Sequence, residues 1–473
     1  MTRAQKTIFV PLLTFFCVAI PCRAGDLDTM GVTLLRQFDS TLLGNGVSAA
    51  QVEAPADANI PPRFEINPAK ANQPVSLFTW ISDLGISSEF PNTNGLESGH
   101  ADLVGGNFYG VTNGVAPGVS HIDNYEANYF FNNIIGANFP SAIPARVVNQ
   151  SFIFDDPADE QSANQNYDDF AAQFGTIFVS GIAGIHNVPP LAAPGTSYNG
   201  IGVGVFGAFF VPGPTSDGRC KPDIVAPDAA QAPNGAVSYV TPYGAGAAAV
   251  LLQAATRGDG GNDFFAATNL LTIKSLLLNG AVKPAGWTNG ATTPLDARYG
   301  AGVLNIFNSW NQLKGKKNPF IESTSVTTGA AHPPGANSGN ESSLVGWDFN
   351  SLPASLISDG INHYYFDATN VSALTATLAW NRQKGASGIS DLNLFLYDTG
   401  SGALVDSSVS AVDNVEHLYV PRLAAGRYDL QVWKKASLSP ETYAVAFQFI
   451  STKLNIASSN SIALISWPAF PDG

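Results

Sequence analysis

The stretch "AVSYVTPYGAGA", residues 236–247, has a serine shortly before a Thr-Pro pair and a run of small residues. Small apolar residues at helical spacing predict a buried helix. Pro242 fits the first turn of that helix, where an amide hydrogen is not needed. Ser238 is then either a nucleophile at the start of a helix or a polar residue that caps it. The choice depends on whether the chain also supplies a base and an acid.

Composition limits the kinds of protein that the chain can be. Its 473 residues are enough for two domains and a large core. Hydrophobic residues make up 45% and charged residues 13%, which is typical of a globular protein rather than a disordered one. The formal net charge of −14 argues against a nucleic-acid partner, because the phosphates would be repelled.

The N-terminus has the pattern of a secretory signal peptide. Arg3 and Lys6 precede an apolar run over residues 8–20, and small residues lead to a cleavage point after Ala24. The run is too short for a comfortable membrane span. We therefore predict a secreted protein, extracellular or periplasmic, with no membrane span in the mature chain. Cys220 is then the single cysteine left after cleavage, so we expect no internal disulfide.

From about residue 30 to residue 312, strand-like and helix-like segments alternate. Short apolar runs such as "GVSAAQVEA", "ARVVNQSFIF", "GTIFVSGIA" and "NGIGVGVFG" are separated by helical patterns. This alternation predicts an α/β fold, with a parallel sheet covered by helices on both faces. Such sheets present reactive residues at the carboxyl ends of their strands.

The composition and hydrophobic pattern of the sequence change after this region. Residues 318–343 are rich in Pro, Gly, Ser and Asn and are typical of a linker, and the segments that follow alternate with period two, which predicts an all-β sandwich. Because the linker has few apolar residues, we expect the sandwich to fold independently. The predicted units are a signal peptide (1–24), an α/β domain (25–317), a linker (318–343), a β-sandwich (344–450) and a C-terminal tail (451–473).

The base is sought among six histidines. His100 opens the helical pattern "GHADLVGGNFYG", whereas the others lie in the linker, in the sandwich, in a strand or in a loop. The alternative role for His100 is that of a surface residue at a helix cap. For the acid, the buried strand "GVSAAQVEAP" ends at Glu53, and an ionised carboxylate there is costly without a partner. The alternative is that Glu53 merely meets solvent.

The order acid, histidine, serine along an α/β chain resembles that of the subtilisin-like serine peptidases (subtilases), and motifs between the three also match. "GNGVSAAQVEA" resembles the family's Gly-x-Gly-Val strand, and "HADLVGGNFYG" its His-Gly-Thr-His-Val-Ala-Gly helix start. "GVAPGVSHID", "RVVNQSF" and "KPDIVAPD" resemble the segments that lead to the cleft and the nucleophile. "AVSYVTPYGAGAAAVLLQA" resembles Gly-Thr-Ser-x-Ala-x-Pro-x-Val-Ala-Gly, and "GAGVLN" the closing segment.

The resemblance implies a catalytic triad. Ser238 would be the nucleophile, His100 the general base, and Glu53 the acid at a position where the family has aspartate. Asp57, four residues further on, is the alternative acid. The resemblance also implies an oxyanion asparagine, and Asn187 comes two residues later than the family pattern, with a neighbouring histidine as the alternative donor.

Two further departures from the family concern the nucleophile and maturation. Ala236 and Val237 replace the Gly-Thr that precedes the family's serine, which reduces backbone freedom there. The distance between Ala24 and the first strand leaves room for a short helix only, so we expect no folding prodomain. Both departures leave the Ser/His pairing intact.

We therefore predict a secreted serine endopeptidase that cleaves peptide bonds through an acyl-enzyme, with a protein or peptide as its substrate. The C-terminal sandwich resembles the accessory domains of bacterial secreted peptidases. We predict no cofactor and no metal ion, and we expect a monomer. The alternative is a catalytically impaired pseudopeptidase that binds a protein partner through the same cleft. A purely structural cell-surface protein would leave the Ser/His pairing unexplained.

Overall fold

The computed structural model describes residues 25–154, 156–184, 188–227, 237–320, 322–330, 341–451, 455–459 and 462–466. The predicted signal peptide and Asn187 lie outside the described residues.

The helices of the described residues are α1 (Asp26–Thr29), α2 (Val32–Phe38), α3 (Gly99–Phe108), α4 (Ala127–Phe130), α5 (Glu160–Phe174), α6 (Val237–Thr256), α7 (Phe264–Ala267), α8 (Leu270–Asn279) and α9 (Ile306–Lys314). The strands are β1 (Ser48–Glu53), β2 (Arg63–Glu65), β3 (Phe78–Ser82), β4 (Gly85–Ser87), β5 (Leu96–Glu97), β6 (His121–Glu126), β7 (Val147–Gln150), β8 (Ile177–Gly181), β9 (Ile201–Phe206), β10 (Ile224–Pro227), β11 (Glu322–Thr327), β12 (Val345–Leu352), β13 (Ser358–Ala368), β14 (Ser372–Trp380), β15 (Leu392–Asp398), β16 (Leu404–Ser408), β17 (Val415–Leu423), β18 (Gly426–Lys434), β19 (Glu441–Ser451), β20 (Asn455–Ser459) and β21 (Ile462–Ser466).

The first domain is built on one large sheet with the order β10-β9-β8-β7-β1-β6-β3-β4. All neighbouring pairs are parallel except β3 with β4. Helices cover both faces, and β8 and β10 are buried at every position. The predicted α/β fold with a parallel sheet is confirmed.

The strand order reverses at β1. From β1 the chain continues to β3 and β6 on one side of it, then crosses to β7, β8, β9 and β10 on the other. In open parallel sheets, such a reversal leaves a crevice at the carboxyl ends of the strands on either side. The end of β1 is therefore where a cleft is expected.

Helix α6 begins at Val237, so Pro242 lies inside the helix and not in its first turn as predicted. Its residues 240–255 are all buried. A helix that is apolar on all sides is expected at such a place. Its glycines allow close packing, since a Cβ at Gly246 would lie 2.6 Å from Cβ of Val115. The small-residue pattern after Ser238 is thus explained by the packing of α6 against β7, β8, β9 and α3.

The second domain is an antiparallel β-sandwich, as predicted. One sheet has the order β11-β13-β18-β15-β16, and the other has the order β12-β19-β14-β17. Their inner faces enclose an apolar core that includes Trp380, Leu394 and Phe447. Strand β11 belongs to the segment predicted as a linker, but it pairs with β13 and so contributes to the sandwich. Strands β20 and β21 pair with each other.

The two domains share an apolar interface. All residues of α8 are buried, because the helix lies between α6 and α9 on one side and the β12-β19-β14-β17 sheet on the other. Trp347 of β12 is fully buried in the core of the first domain, and its indole donates a hydrogen bond to the carbonyl of Leu313 at 3.1 Å. We expected the sandwich to fold independently because the linker has few apolar residues. The apolar contact between the domains is instead made by α8 and the β12-β19-β14-β17 sheet, which lie outside the linker.

Polar contacts reinforce this interface. Arg382 of the sandwich lies 3.2 Å from Asp168 of α5, and its backbone exchanges hydrogen bonds with the side chain of Asn199.

None of the helices in the described residues has both the length and the hydropathy that crossing a membrane requires.

Candidate active site

Glu53 is the last residue of β1 and lies where the sheet crevice is expected. Its side chain is 1% exposed, and its Oε2 lies 2.7 Å from Nδ1 of His100. A buried carboxylate needs such a partner, since the cost of removing it from water is otherwise large. Glu53 and His100, predicted from separate segments, are therefore in direct contact.

His100 lies in the first turn of α3, whose N-cap is Ser98. Burial by itself lowers the pKa of His100, but the charge of Glu53 and the hydrogen bond to it outweigh this effect and raise the pKa above its ordinary value. The side chain remains 33% exposed, so part of the ring is open to the cleft. The second ring nitrogen, Nε2, has no hydrogen-bond partner among the described residues.

Ser238 lies in the first turn of α6, next to Tyr239, whose ring contacts His100. The His100 ring lies 5.5 Å from the ring of Tyr239, the residue after Ser238, and Asn107 of α3 donates a hydrogen bond to the carbonyl of Tyr239 at 2.8 Å. The beginnings of α3 and α6 are thus held side by side. The elements that carry the predicted acid, base and nucleophile meet at one edge of the sheet.

The hydroxyl of Ser238 donates to the carbonyl of Ser151 at 3.3 Å, and the hydroxyl of Ser151 donates to the carbonyl of Ser238 at 2.9 Å. Within the part of the chain that is described, no hydrogen bond joins Ser238 to His100, and no backbone amide donates to the Ser238 hydroxyl. Ser238 therefore does not cap α6 through its side chain. Its role as a nucleophile stays a prediction.

A small pocket of about 110 Å³ opens beside Ser238, lined by Ser151, Phe152, Ile153, Gly181, Ala183 and Val237. Its walls are mostly apolar. Gly181 allows β8 to approach α6 closely, since a Cβ there would lie 2.7 Å from Cγ1 of Val237 and 2.9 Å from the hydroxyl of Thr241. A larger cavity of about 310 Å³ lies along α3 between Lys70 and Thr112, and its lining does not include Ser238.

Asp57, the alternative acid, has Arg63 and Asn59 and not His100 as its side-chain partners among the described residues. It is exposed, and its carboxylate accepts hydrogen bonds from Arg63 at 3.0 Å and from Asn59 at 2.7 Å. The hydrogen bond from Arg63 lowers the pKa of Asp57. Among the described carboxylates, Glu53 is the one that is hydrogen-bonded to His100.

The oxyanion donor stays a prediction. Asn187 and its neighbour His186 follow the end of β8 and lie outside the described residues. Ser238 lies in the first turn of α6, and the N-terminal end of a helix carries partial positive charge.

Sequence reasoning missed two residues that contact the acid directly or through one intermediary. Gln51, two residues before Glu53, donates a hydrogen bond to Oε1 of Glu53 at 2.8 Å, and the hydroxyl of Tyr109 donates to Gln51. A glutamine inside the apolar strand "VSAAQVEA" was a usable signal, because a buried polar side chain requires partners.

The sandwich contains a histidine that is hydrogen-bonded to both a carboxylate and a hydroxyl. His363 contacts Asp429 at 2.8 Å through Nδ1 and Thr324 at 2.8 Å through Nε2. These side chains lie on β11, β13 and β18, and His363 and Asp429 are buried. A hydrogen-bonded chain across three strands stabilises their pairing. Within the described residues, no group of three or more side chains is arranged to hold a metal ion.

No family model matches this chain, and no curated protein matches it. Solved structures do. Fervidolysin from Fervidobacterium pennivorans, a keratinolytic enzyme related to subtilisin, is 14% identical with a TM-score of 0.43, over 93% of this chain and 79% of its own. A protease from Pseudoalteromonas arctica is 18% identical with a TM-score of 0.39, over 61% of this chain and 95% of its own.

In structure, this chain is similar to subtilisin-related proteases. The pre-peptidase C-terminal domain of a collagenase from Bacillus anthracis is 14% identical with a TM-score of 0.17, over 22% of this chain and 87% of its own. At identities this low, and with no TM-score reaching one half, an activity does not transfer from these neighbours. The function is therefore argued from the residues of the cleft.

Proposed function

We propose that this chain is a serine endopeptidase in which Glu53, His100 and Ser238 form a catalytic triad. The observation that carries the proposal is the 2.7 Å contact between Glu53 and His100 at the end of β1, directly beside the turn of α6 that bears Ser238. A carboxylate that orients a histidine next to a serine is the arrangement by which a serine hydroxyl is activated.

The proposed reaction begins with attack of the Ser238 hydroxyl on a peptide carbonyl, while Nε2 of His100 takes its proton. Glu53 accepts a hydrogen bond from Nδ1 of His100, fixes the tautomer and stabilises the imidazolium that forms. The imidazolium then gives its proton to the leaving amine, and the acyl group stays on Ser238. Water, activated by His100, hydrolyses this ester and restores the serine.

The negative charge of the tetrahedral intermediate requires donors beside Ser238. We propose the backbone amides at the start of α6 as one source and the side chain of Asn187 as another. Before attack, the Ser238 hydroxyl rotates about χ1 from the carbonyl of Ser151 to His100. Hydrogen bonds of this kind are often absent in a resting site and form when substrate is bound.

We propose that the substrate is a protein or peptide and that the pocket beside Ser238 receives one of its apolar side chains. Phe152, Ile153, Ala183 and Val237 supply an apolar wall, and the volume of about 110 Å³ limits the size of the group. We further propose that the protein is exported and acts as a monomer. Sequencing of the mature N-terminus tests export, and Gly25 is the expected first residue.

A second candidate function is that of a pseudopeptidase that binds a protein partner through the same cleft. One observation favours it, namely that the Ser238 hydroxyl is hydrogen-bonded to the carbonyl of Ser151 and not to His100. The two functions differ in a single chemical property, the nucleophilicity of Ser238.

The test is labelling of the purified protein with a fluorophosphonate, which reacts with activated serines. We expect one modified residue, Ser238, and loss of labelling in the Ser238→Ala and His100→Ala proteins. Ser162→Ala, which removes an exposed serine of α5, is the matched control and should label normally. A folded protein that is not labelled and does not hydrolyse unfolded casein, yet still binds it, would favour the pseudopeptidase.

A further inference from the structure

Gln51 is a polar residue in the middle of a buried strand. Its side chain is fully buried and points to the same face of β1 as Glu53, two residues later. Its Nε2 donates to Oε1 of Glu53 at 2.8 Å and to the carbonyl of Ala101 at 2.9 Å, and its Oε1 accepts from the hydroxyl of Tyr109. Both amide hydrogens and the amide oxygen of Gln51 are therefore used.

The chemistry of the partners fixes the orientation of this amide. The Glu53 carboxylate and the Ala101 carbonyl are acceptors, so the nitrogen of Gln51 must face both of them. The oxygen must then face Tyr109, whose hydroxyl is the donor. Burial, followed by the charges of Glu53 and Asp102, raises the pKa of Tyr109, which keeps this donor protonated.

The network holds both partners of the proposed acid–base pair. One carboxylate oxygen of Glu53 contacts His100 and the other contacts Gln51, so the plane of the carboxylate is fixed from both sides. Ala101 is the neighbour of His100 in α3, and Tyr109 directly follows the last residue of that helix. Gln51 thereby ties β1 to both ends of the helix that carries His100.

We propose that Gln51, held by Tyr109, is a positioning residue that keeps Glu53 in the orientation that reaches His100. A glutamate has one more rotatable bond than an aspartate and loses more side-chain entropy when it is fixed. Two hydrogen bonds to one carboxylate supply this restraint. The inference rests on the proposed triad, because positioning matters only if Glu53 serves His100.

The first test measures the pKa of His100 by NMR in the Ser238→Ala protein, with the resonance assigned from its loss in His100→Gln. Glu53 of β1 and Tyr239 of α6 are the described titratable side chains in contact with the ring. We expect Gln51→Leu to lower this pKa, because the attraction of Glu53 weakens while burial, which lowers the pKa, remains. An unchanged pKa would overturn the inference.

The matched control is Gln312→Leu. Gln312 is a fully buried glutamine of α9, hydrogen-bonded to Asn279 and Gln448 at the domain interface. Its replacement should reduce stability, like any loss of a buried hydrogen-bonding group, but leave the pKa of His100 unchanged. A shift of the same size in this control would mean that the effect of Gln51→Leu is unspecific, and would overturn the inference.

The second test is kinetic. Gln51→Leu should lower kcat on the order of 10²-fold with little change in KM, as expected when catalytic groups are misplaced by about 1 Å. In the Glu53→Gln background the same substitution should have little further effect, because Gln51 acts through Glu53. Equal losses in both backgrounds would indicate a merely structural role and contradict the proposal.

If Gln51→Leu does not fold, Tyr109→Phe replaces it in both tests, since it removes only the hydroxyl that holds Gln51. We expect a shift of the His100 pKa in the same direction but smaller, and no shift would overturn the inference. Absence of hydrolysis in every variant, including the unsubstituted protein, would contradict the proposed function. The NMR titration would still decide whether Gln51 positions Glu53.

Discussion

Glu53 has one methylene more than the aspartate that the resemblance implies at the end of β1, yet its carboxylate lies 2.7 Å from His100. The longer side chain is accommodated because Gln51 holds the other carboxylate oxygen. Asp57, the shorter acid nearby, is engaged with Arg63 at the surface. At the scale of single residues, the acid is therefore selected by its hydrogen-bond partners and not by its residue type.

Replacement of Glu53 tests whether it is the acid that serves His100. Glu53→Gln should lower kcat/KM on the order of 10⁴-fold, as loss of the orienting carboxylate does in other triads. Attack requires neutral His100, and Glu53 raises the pKa of His100, so the acid limb of the pH profile should move to lower pH when the charge is removed. Steady-state rates between pH 4 and 10 measure both effects.

The control for this prediction is Asp57→Asn, which should leave the rate and the pH profile unchanged. Glu53→Asp keeps the charge but shortens the reach, so we expect an intermediate loss of activity. Abolition of activity by Asp57→Asn, with Glu53→Gln unaffected, would show that the wrong carboxylate has been assigned.

Helix α3 is the element that carries the base, and two adjacent glycines in it have different surroundings. A Cβ at Gly105 would lie 2.6 Å from the hydroxyl of Tyr109 and 2.7 Å from Cδ1 of Ile66, whereas a Cβ at Gly106 would have nothing within 4 Å. Gly105 is therefore required by packing against the Tyr109 that holds Gln51, and Gly106 is not. At the scale of elements, helix packing and the proposed site share the same residues.

Replacing Gly105 and Gly106 by alanine, one at a time, tests whether their surroundings differ. Gly105→Ala should destabilise the protein by about 1–3 kcal/mol, as overpacking of a core does, and it should lower activity by displacing Tyr109. Gly106→Ala is the matched control and should be neutral or stabilising by up to about 1 kcal/mol, because alanine favours the helix. Thermal unfolding and casein hydrolysis measure the pair, and equal effects at both positions would refute the packing argument.

At the scale of the whole molecule, the sandwich and the α/β domain share one interface. All residues of helix α8 are buried, one side of the helix packs against the sandwich, and Trp347 enters the core of the first domain. Exposing an apolar surface of this kind to water is unfavourable in proportion to its area. The composition of the linker gave no indication of this, because the contact is made by residues outside it.

Truncation tests the interface. A protein that ends at residue 317 should be insoluble or unfolded, because the face of α8 that packs on β14 and β19 would be exposed. A protein that ends at residue 451 is the control and should remain folded, since β20 and β21 pair with each other. Size-exclusion chromatography and circular dichroism measure the outcome. A soluble, cooperatively folded 25–317 fragment would contradict this prediction and support an independent sandwich.

The order of apolar strands and helices, the period-two pattern after residue 344 and the motifs around Glu53, His100 and Ser238 were sufficient to predict both folds and the elements that meet at the crevice. These are local properties, because hydrophobic periodicity and turn signals depend on residues that are close together in the sequence. Only the tertiary structure shows that Glu53 is hydrogen-bonded to His100 while Asp57 is engaged with Arg63. It alone also shows the roles of Gln51 and Tyr109 and the burial of α8 by the sandwich. Each depends on contacts between segments far apart in the chain, such as Glu53 with His100 and Trp347 with Leu313. No local pattern encodes such contacts, because the hydrogen bonds and buried area that stabilise them exist only after the chain has folded.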